Sequence, residues 1–236
     1  MMLLKIDTIE VAYDDYQIIW GVSLHVKEGE IVALLGPNGS GKSTILNSIS
    51  GLVKIKSGNI NFNNSSINNL KTFERVGQGI SHVLERRRVF PHLTVLQNLS
   101  LGAYHPKAKM EKEKNLNEVF TFFPKLKDRL DQLANTMSGG EQQMLAIARG
   151  LMGMPKLLMV DEPFLGLAPL VIEDLKKIFK MILSKGIAIL FVEQNVRLAL
   201  SMANRGYILE SGRLVIDGAS KNLVDSKEVK RVFLGS

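Results

Sequence analysis

The chain has 236 residues, no cysteine and a formal net charge of +7, with 45% hydrophobic and 22% charged residues. That length suits one large domain, or a domain with a small appendage, and is enough to bury a substantial core. Zero cysteines exclude disulfides and thiolate metal sites and fit a reducing compartment, and no apolar run approaches the ~18 residues needed to span a bilayer, so the chain is expected in the cytosol.

The opening stretch, Met1 to Asp7, lacks the basic flank and long apolar core of a signal peptide. From Leu4 to Val26 apolar and polar residues alternate as far as the turn Glu28-Gly29, which predicts antiparallel strands. Ile31 to Leu35 is short and continuously apolar, the pattern of a parallel strand covered on both faces. It runs into Gly36-Pro37-Asn38-Gly39-Ser40-Gly41-Lys42-Ser43-Thr44 and then a helical run from Ile45 to Ser50. This is a phosphate-binding loop. Glycines at 36, 39 and 41 let successive backbone N–H groups turn inward around phosphate oxygens. Lys42 adds a point charge for the outer phosphates, Ser43 offers a hydroxyl to Mg²⁺, and the helix contributes its unpaired N-terminal donors. The chain is therefore expected to bind a nucleotide.

The sharpest basic cluster, Arg86-Arg87-Arg88, sits beside Val89-Phe90-Pro91 rather than along a helix, and aromatic residues are only 6%, so nucleic acid is not an expected partner. From Leu96 to Ala134 the chain is rich in Lys and Glu, with Leu116, Val119, Phe120 and Phe123 at helical spacing; this reads as a helical subdomain. Ser138-Gly139-Gly140-Glu141-Gln142-Gln143 precedes another helical run, Met144 to Met152. Ser138 and Glu141 satisfy a capping box, which accounts for a helix start. It does not account for the two glycines, each costing about 1 kcal/mol against alanine inside a helix. They permit a close approach to a helix N-terminus, which suits a second phosphate.

A second apolar strand, Leu157 to Val160, ends on Asp161-Glu162, at the edge where an open α/β sheet presents its ligand. Asp161 is a candidate Mg²⁺ ligand and Glu162 a candidate to orient or deprotonate water; a pair of surface acids is the competing reading. Pro169 to Ser184 places Val171, Leu175, Ile178 and Ile182 on one helical stripe, with Gly186 as a stop, and Ile187 to Val192 is a third strand. Tyr207 to Ile216 reads as a hairpin turning at Ser211-Gly212, and Lys227 to Leu234 as a last short helix. The predicted class is α/β, with a phosphate-loop core, an N-terminal antiparallel β subdomain and a helical subdomain.

The phosphate loop, the Ser-Gly-Gly-Glu-Gln segment and the Asp161-Glu162 strand end, in this order and spacing, resemble the nucleotide-binding subunit of an ATP-binding-cassette transporter over essentially the whole chain. The resemblance implies a single cassette, residues 1–236, with a helical subdomain inserted at roughly 92–155. It implies ATP and Mg²⁺ as cofactors, with Tyr13 stacking on adenine, residues Gly36 to Thr44 holding phosphates, and Ser43, Asp161 and Glu85 near the metal. It implies that Ser138, Gly139, Gly140 and Glu141 of one subunit close over ATP held by another. Ser138 to Ile147, Gly166-Leu167-Ala168-Pro169, Val192-Glu193-Gln194-Asn195 and Arg87 to Pro91 are similar to the second ATPase subunit of branched-chain amino-acid importers. Gln194 stands where most cassettes carry a switch histidine, and Glu85 where most carry a glutamine that senses the γ-phosphate. With Glu162 they form the implied catalytic set, in which Gln194 positions without taking a proton.

The same resemblance implies two transmembrane permeases, a sister ATPase or a second copy of this chain, indirectly a solute-binding protein, and a peripheral location on the cytoplasmic membrane face. Other cargoes (urea, amides, a lipid) or a soluble cassette acting on DNA or ribosomes are the alternatives. Phe164, where a small serine is usual, is expected to bear on packing at the subunit junction, and Leu84-Glu85-Arg86 replaces the usual Pro-Glu-Gly.

Overall fold

A computed structural model describes residues 1–224 and 226–234. The chain opens with β1 (Met2–Tyr13), β2 (Tyr16–Lys27) and β3 (Ile31–Leu35), followed by α1 (Lys42–Ser50), β4 (Ser57–Phe62), β5 (Ser65–Ser66), α2 (Thr72–Gln78) and β6 (Ile80–Val83). Helices alone fill the next stretch: α3 (Val95–Gly102), α4 (Pro106–Met110), α5 (Lys112–Phe122), α6 (Pro124–Lys127), a 3-10 turn at Ala134–Thr136, and α7 (Gly139–Leu151). The remainder alternates as β7 (Leu157–Asp161), α8 (Pro169–Ser184), β8 (Ala188–Glu193), α9 (Val196–Leu200), β9 (Arg205–Glu210), β10 (Arg213–Ala219), α10 (Ser220–Leu223) and α11 (Lys227–Leu234).

The strands form two sheets. An antiparallel sheet has the order β2-β1-β4-β5, as the N-terminal alternation predicts. A six-stranded sheet has the order β10-β9-β3-β8-β7-β6, parallel throughout except for the β9–β10 hairpin. In its central strands successive side chains enter different cores. Ile31, Ala33 and Leu35 of β3, Leu158 and Val160 of β7, and Ile189 and Phe191 of β8 pack with the helices α3, α5, α7 and α8. Val32 and Leu34, Leu157 and Met159, and Leu190 and Val192 pack with α1 and the antiparallel sheet. A strand with a core on each side needs no polar face, which is why these runs are continuously apolar.

Several boundaries follow from local chemistry. α8 starts with proline at its first position and stops before Gly186 at φ +82°. The β9–β10 turn places Ser211 at φ +46° and Gly212 at φ +74°, the two left-handed residues that a two-residue hairpin requires. α5 ends one residue earlier than the apolar spacing suggests. Phe123 leaves the helix at φ −128°, ψ +64° because Pro124 disfavours helical backbone in the residue before it, yet its side chain stays buried. α7 starts at Gly139, five residues before the apolar run. β6 escapes the sequence pattern because Ser81 and His82 interrupt it, although its ends, Ile80 and Val83, are buried.

Two cationic side chains fasten the sheets and helices together. Arg205 donates to Glu30 Oε1 at 2.5 Å, to the His25 carbonyl at 2.7 Å and to the Tyr207 hydroxyl at 2.9 Å, tying β9 to the β2–β3 connection. Arg75, on α2, is buried and donates to the carbonyls of Ser48 (2.6 Å) and Ile49 (2.9 Å) at the end of α1, and to those of Leu70 (3.0 Å) and Asn68 (3.1 Å). These carbonyls lie in the last turn of α1, where backbone acceptors outnumber the helix's own donors, and a cation there also complements the helix dipole. Arg75→Ala should therefore destabilise the fold by about 2–4 kcal/mol, measured by urea unfolding, since it strips a charged donor from four backbone acceptors.

Candidate functional site

The carboxyl ends of β3, β6, β7 and β8 lie side by side, because the parallel register sets Leu35 opposite Glu193 and Asp161 opposite Val192. Each strand therefore delivers its following loop to one edge, where open α/β sheets bind their ligands. At that edge is a cleft of about 640 Å³, lined by Asn38, Gly39, Gly41, Lys42, Ser43 and Thr44 from the phosphate loop. Glu85 and Arg86 after β6, Glu162 and Leu165 after β7, and Gln194 after β8 form its other walls. Tyr13, at the end of β1 and 43% exposed, stands with Ile18 of β2 at the same cleft.

The loop's shape depends on glycine where other backbone comes close. A Cβ on Gly36 would lie 2.3 Å from the Leu209 carbonyl oxygen and 2.5 Å from Ser40 Oγ, and one on Gly41, at φ +104°, would lie 2.5 Å from Ile19 Cδ1. Gly212 braces the loop from outside: its N–H donates to the Ser40 carbonyl at 3.0 Å and its carbonyl accepts from Trp20 N–H at 2.9 Å. A Cβ there would sit 1.8 Å from the Ile18 carbonyl oxygen. The hairpin tip thus joins the phosphate loop to β2.

Lys42 is only 5% exposed and donates to the carbonyls of Gly36 and Pro37, each at 2.9 Å. Burial lowers its pKa, while the carboxylates of Glu162, Asp161, Glu193 and Glu85 push it back up. Asp161 is buried at the end of β7, and desolvation raises its pKa to about 6; the Ser43 hydroxyl opposes that rise, and Glu162 and Glu85 add to it. Its Oδ1 is buried without a hydrogen-bond partner. A buried carboxylate oxygen in want of a partner, beside a serine hydroxyl, fits a hard divalent cation.

Glu162 follows β7 at φ +46°, a strained conformation for a residue with a side chain. Its N–H donates to the Val192 carbonyl at 3.1 Å, and its Oε1 accepts from Gln194 Nε2 at 2.5 Å. Residues read separately in the sequence are thus in contact. Phe164 is a correction: rather than facing a subunit junction, its ring is 5% exposed and packs 6.2 Å from Phe179 and 6.1 Å from Phe191, centroid to centroid. The chain turns at Glu162 so that the aromatic enters the core and the carboxylate does not.

Ser138 is exposed and does not line this cleft; nor do Gly139, Gly140 or Glu141. They form the start of α7 by a reciprocal capping box, with Ser138 N–H donating to Glu141 Oε2 at 2.8 Å and Arg129 donating to Glu141 Oε1 at 2.5 Å. The glycines also serve packing within the chain, since a Cβ on Gly140 would lie 3.0 Å from Val171 and one on Gly139 would strike the Arg87 guanidinium at 2.1 Å. Arg87 itself donates to the Gly166 carbonyl at 3.2 Å. Of the basic cluster, one member therefore links the Glu85 segment, α7 and the loop after β7.

A phosphate loop, an acidic strand end opposite it and a capped glycine helix start define a nucleotide-hydrolysing cassette. The chain belongs to the ABC transporter family, whose pattern matches residues 19–165. It is 41% identical over 233 residues to the high-affinity branched-chain amino acid transport ATP-binding protein BraG of Pseudomonas aeruginosa, covering 99% of this chain and 100% of that one. It is 33% identical to the lipopolysaccharide export system ATP-binding protein LptB of Haemophilus influenzae, over 100% of this chain and 98% of that one. A nucleotide-free ATP-binding cassette superposes with a TM-score of 0.89 at 27% identity, with full coverage of both chains. The dimeric cassette MJ0796 bound to ADP and Pi superposes with a TM-score of 0.80 at 27% identity, covering 92% of this chain and 99% of that one. The chain is thus the ATP-hydrolysing subunit of a transporter, and among the described residues no helix is long and apolar enough to cross a membrane.

The glycine cradle yields a direct test. Gly36→Ala, whose Cβ has nowhere to go between Leu209 and Ser40, should weaken ATP binding at least about tenfold by calorimetry, a loss of roughly 1.4 kcal/mol, while the far-UV circular dichroism stays that of the parent.

Proposed function

We propose that this chain energises import of branched-chain or related amino acids. The observation that carries the cargo is the 41% identity with BraG over the whole of both chains, against 33% with LptB. The chain works as one cassette, with residues 92–155 as its helical subdomain. It acts on the cytoplasmic membrane face with two permeases, a sister ATPase or a second copy of itself, and indirectly a solute-binding protein.

In this reading ATP lies in the cleft with adenine against Tyr13 and its phosphates on the backbone N–H groups of residues 36–44. Lys42 exchanges the Gly36 and Pro37 carbonyls for the outer phosphate oxygens, a short movement for a side chain already at that spot. Ser43 and Asp161 hold Mg²⁺, with Glu85 near it, and the ion supplies charge neutralisation at the phosphates. Glu162 orients the attacking water, and Gln194 fixes the orientation of Glu162 through its amide. Ser138 and the N-terminus of α7 approach the γ-phosphate bound by the partner, since the capping box leaves that helix end at the surface. Loss of the γ-phosphate removes the contacts that favour the closed pair, and the pair opens.

Glu162→Gln should retain ATP binding, lower turnover by at least about a hundredfold, the scale of a general base together with its orienting role, and trap a closed dimer by size-exclusion chromatography. Unchanged turnover would remove Glu162 from the chemistry. The cargo is tested by affinity capture of this chain from detergent-solubilised native membranes. Two polytopic permeases and an amino-acid-binding protein should co-purify; lipopolysaccharide-export components in their place would overturn the cargo.

A further inference from the structure

Glu193 has no part in the chemistry described above, yet it is the most enclosed carboxylate at this edge after Asp161, at 6% exposure. Its Oε1 accepts the N–H of Phe164 at 3.1 Å, and its Oε2 accepts the N–H of Gln194 at 3.1 Å. The first bond holds the backbone two residues after Glu162; the second holds the residue whose amide touches Glu162 at 2.5 Å. A closed ring results, running from Glu162 along the chain to Phe164, across to Glu193, on to Gln194 and back to Glu162. The Phe164 ring, wedged between Phe179 and Phe191, fixes one side of this ring in the core. The Glu162 N–H bond to the Val192 carbonyl fixes the other.

We propose that Glu193 is a positioning residue for hydrolysis, whose buried carboxylate sets Glu162 against Gln194 by gripping the backbone on both sides of the pair. The reasoning is geometric. Glu162 occupies a left-handed conformation that it would leave if its neighbours relaxed. Gln194 is held to Glu162 by one side-chain hydrogen bond, which alone leaves the glutamine free to turn about its own torsions. A charged acceptor that takes two backbone donors at once removes both freedoms and makes stronger bonds than a neutral group. An amide in its place offers one acceptor oxygen and turns an N–H₂ toward the other backbone N–H, so that one bond of the ring breaks and a donor faces a donor. The inference rests on the reading of Glu162 as the group that orients water.

The test compares ATP turnover and ATP affinity in the purified full chain and in Glu193→Gln, Gln194→Ala, their double variant and Glu162→Gln. Glu193→Gln should lower kcat at least about tenfold while KM and the calorimetric Kd for ATP stay within about twofold, the split that separates positioning from binding. The double variant should lose less than the product of the two single losses, because both act on the same carboxylate. Should Glu193→Gln fold poorly, Glu193→Asp serves instead. Its charge is kept but its reach is shorter by one methylene, and the same selective loss of kcat is expected. A kcat within twofold of the parent, a loss that falls on KM and Kd instead, or strictly multiplicative losses in the double variant would each overturn the proposal. If Glu162→Gln loses turnover and Glu193→Gln does not, the Glu193 inference alone falls; if Glu162→Gln keeps turnover, both fall.

Discussion

The rest of the site depends on one electrostatic constraint: a parallel sheet brings four strand ends together, and this sequence ends them on carboxylates and a lysine in partly dry surroundings. Asp161 and Glu193 are buried, Glu162 and Glu85 stand beside them, and all four act on the buried Lys42. Burial raises the pKa of both Asp161 and Glu193 by desolvation, and the nearby Glu162 carboxylate adds to the rise in each. Three of these carboxylates meet that cost in different ways. Glu193 does so with backbone N–H donors, Glu162 with the Gln194 amide and partial exposure, whereas Asp161 keeps one oxygen unpaired. That unmet demand at Asp161 Oδ1 lies beside the phosphate loop, where the proposed reading places the cation and the nucleotide's phosphates.

Around this edge the fold supplies stiffness rather than chemistry. The phosphate loop is clasped between the Leu209 carbonyl and β2, with the Gly212 turn bonded to both Ser40 and Trp20. The phosphate loop and the antiparallel sheet are thus joined through direct backbone bonds. On the opposite side Arg87 links the segment after β6 to the loop after β7 and lies against the first glycine of α7. The segment after β6, the loop after β7 and the start of α7 are therefore joined by a single guanidinium, carried on a stretch where Arg86 and Arg87 both adopt left-handed φ.

Much of this was legible in the sequence because it is periodic or punctuated. Continuous apolar runs mark β3, β7 and β8, whose faces both meet a core, and the stripe of α8 and its Gly186 stop are visible without any structure. The phosphate loop is legible because only glycine fits at Gly36 and Gly41. What escaped was long-range and orientational. β6 carries a serine and a histidine that break the apolar pattern. Phe164 looked like a surface substitution, but its direction is set by the turn at Glu162 and by two phenylalanines lying 15 and 27 residues further on. Glu193 stood in the sequence only as one residue of Val192-Glu193-Gln194-Asn195, since nothing local shows that one of its oxygens is taken by backbone from a loop 29 residues earlier.

The glutamine at 194 sharpens what the chemistry can be. An amide carries no titratable proton, so position 194 neither accepts the proton of the attacking water nor donates one to the leaving oxygen. The structure assigns it a different task, because its N–H₂ is turned toward Glu162 and donates to Oε1. That donated hydrogen bond fixes the direction of Oε1 and leaves Oε2 outside the contact. In the proposed reading a carboxylate whose direction is fixed in this way aligns water for in-line attack. That fits phosphoryl transfer with a loose transition state, in which the nucleophile needs direction more than deprotonation. A histidine at the same position would add a charge that varies with pH near neutrality. With glutamine, the alignment of Glu162 is set by hydrogen-bond geometry alone, and that geometry is fixed by the backbone grip of the buried carboxylate next to it.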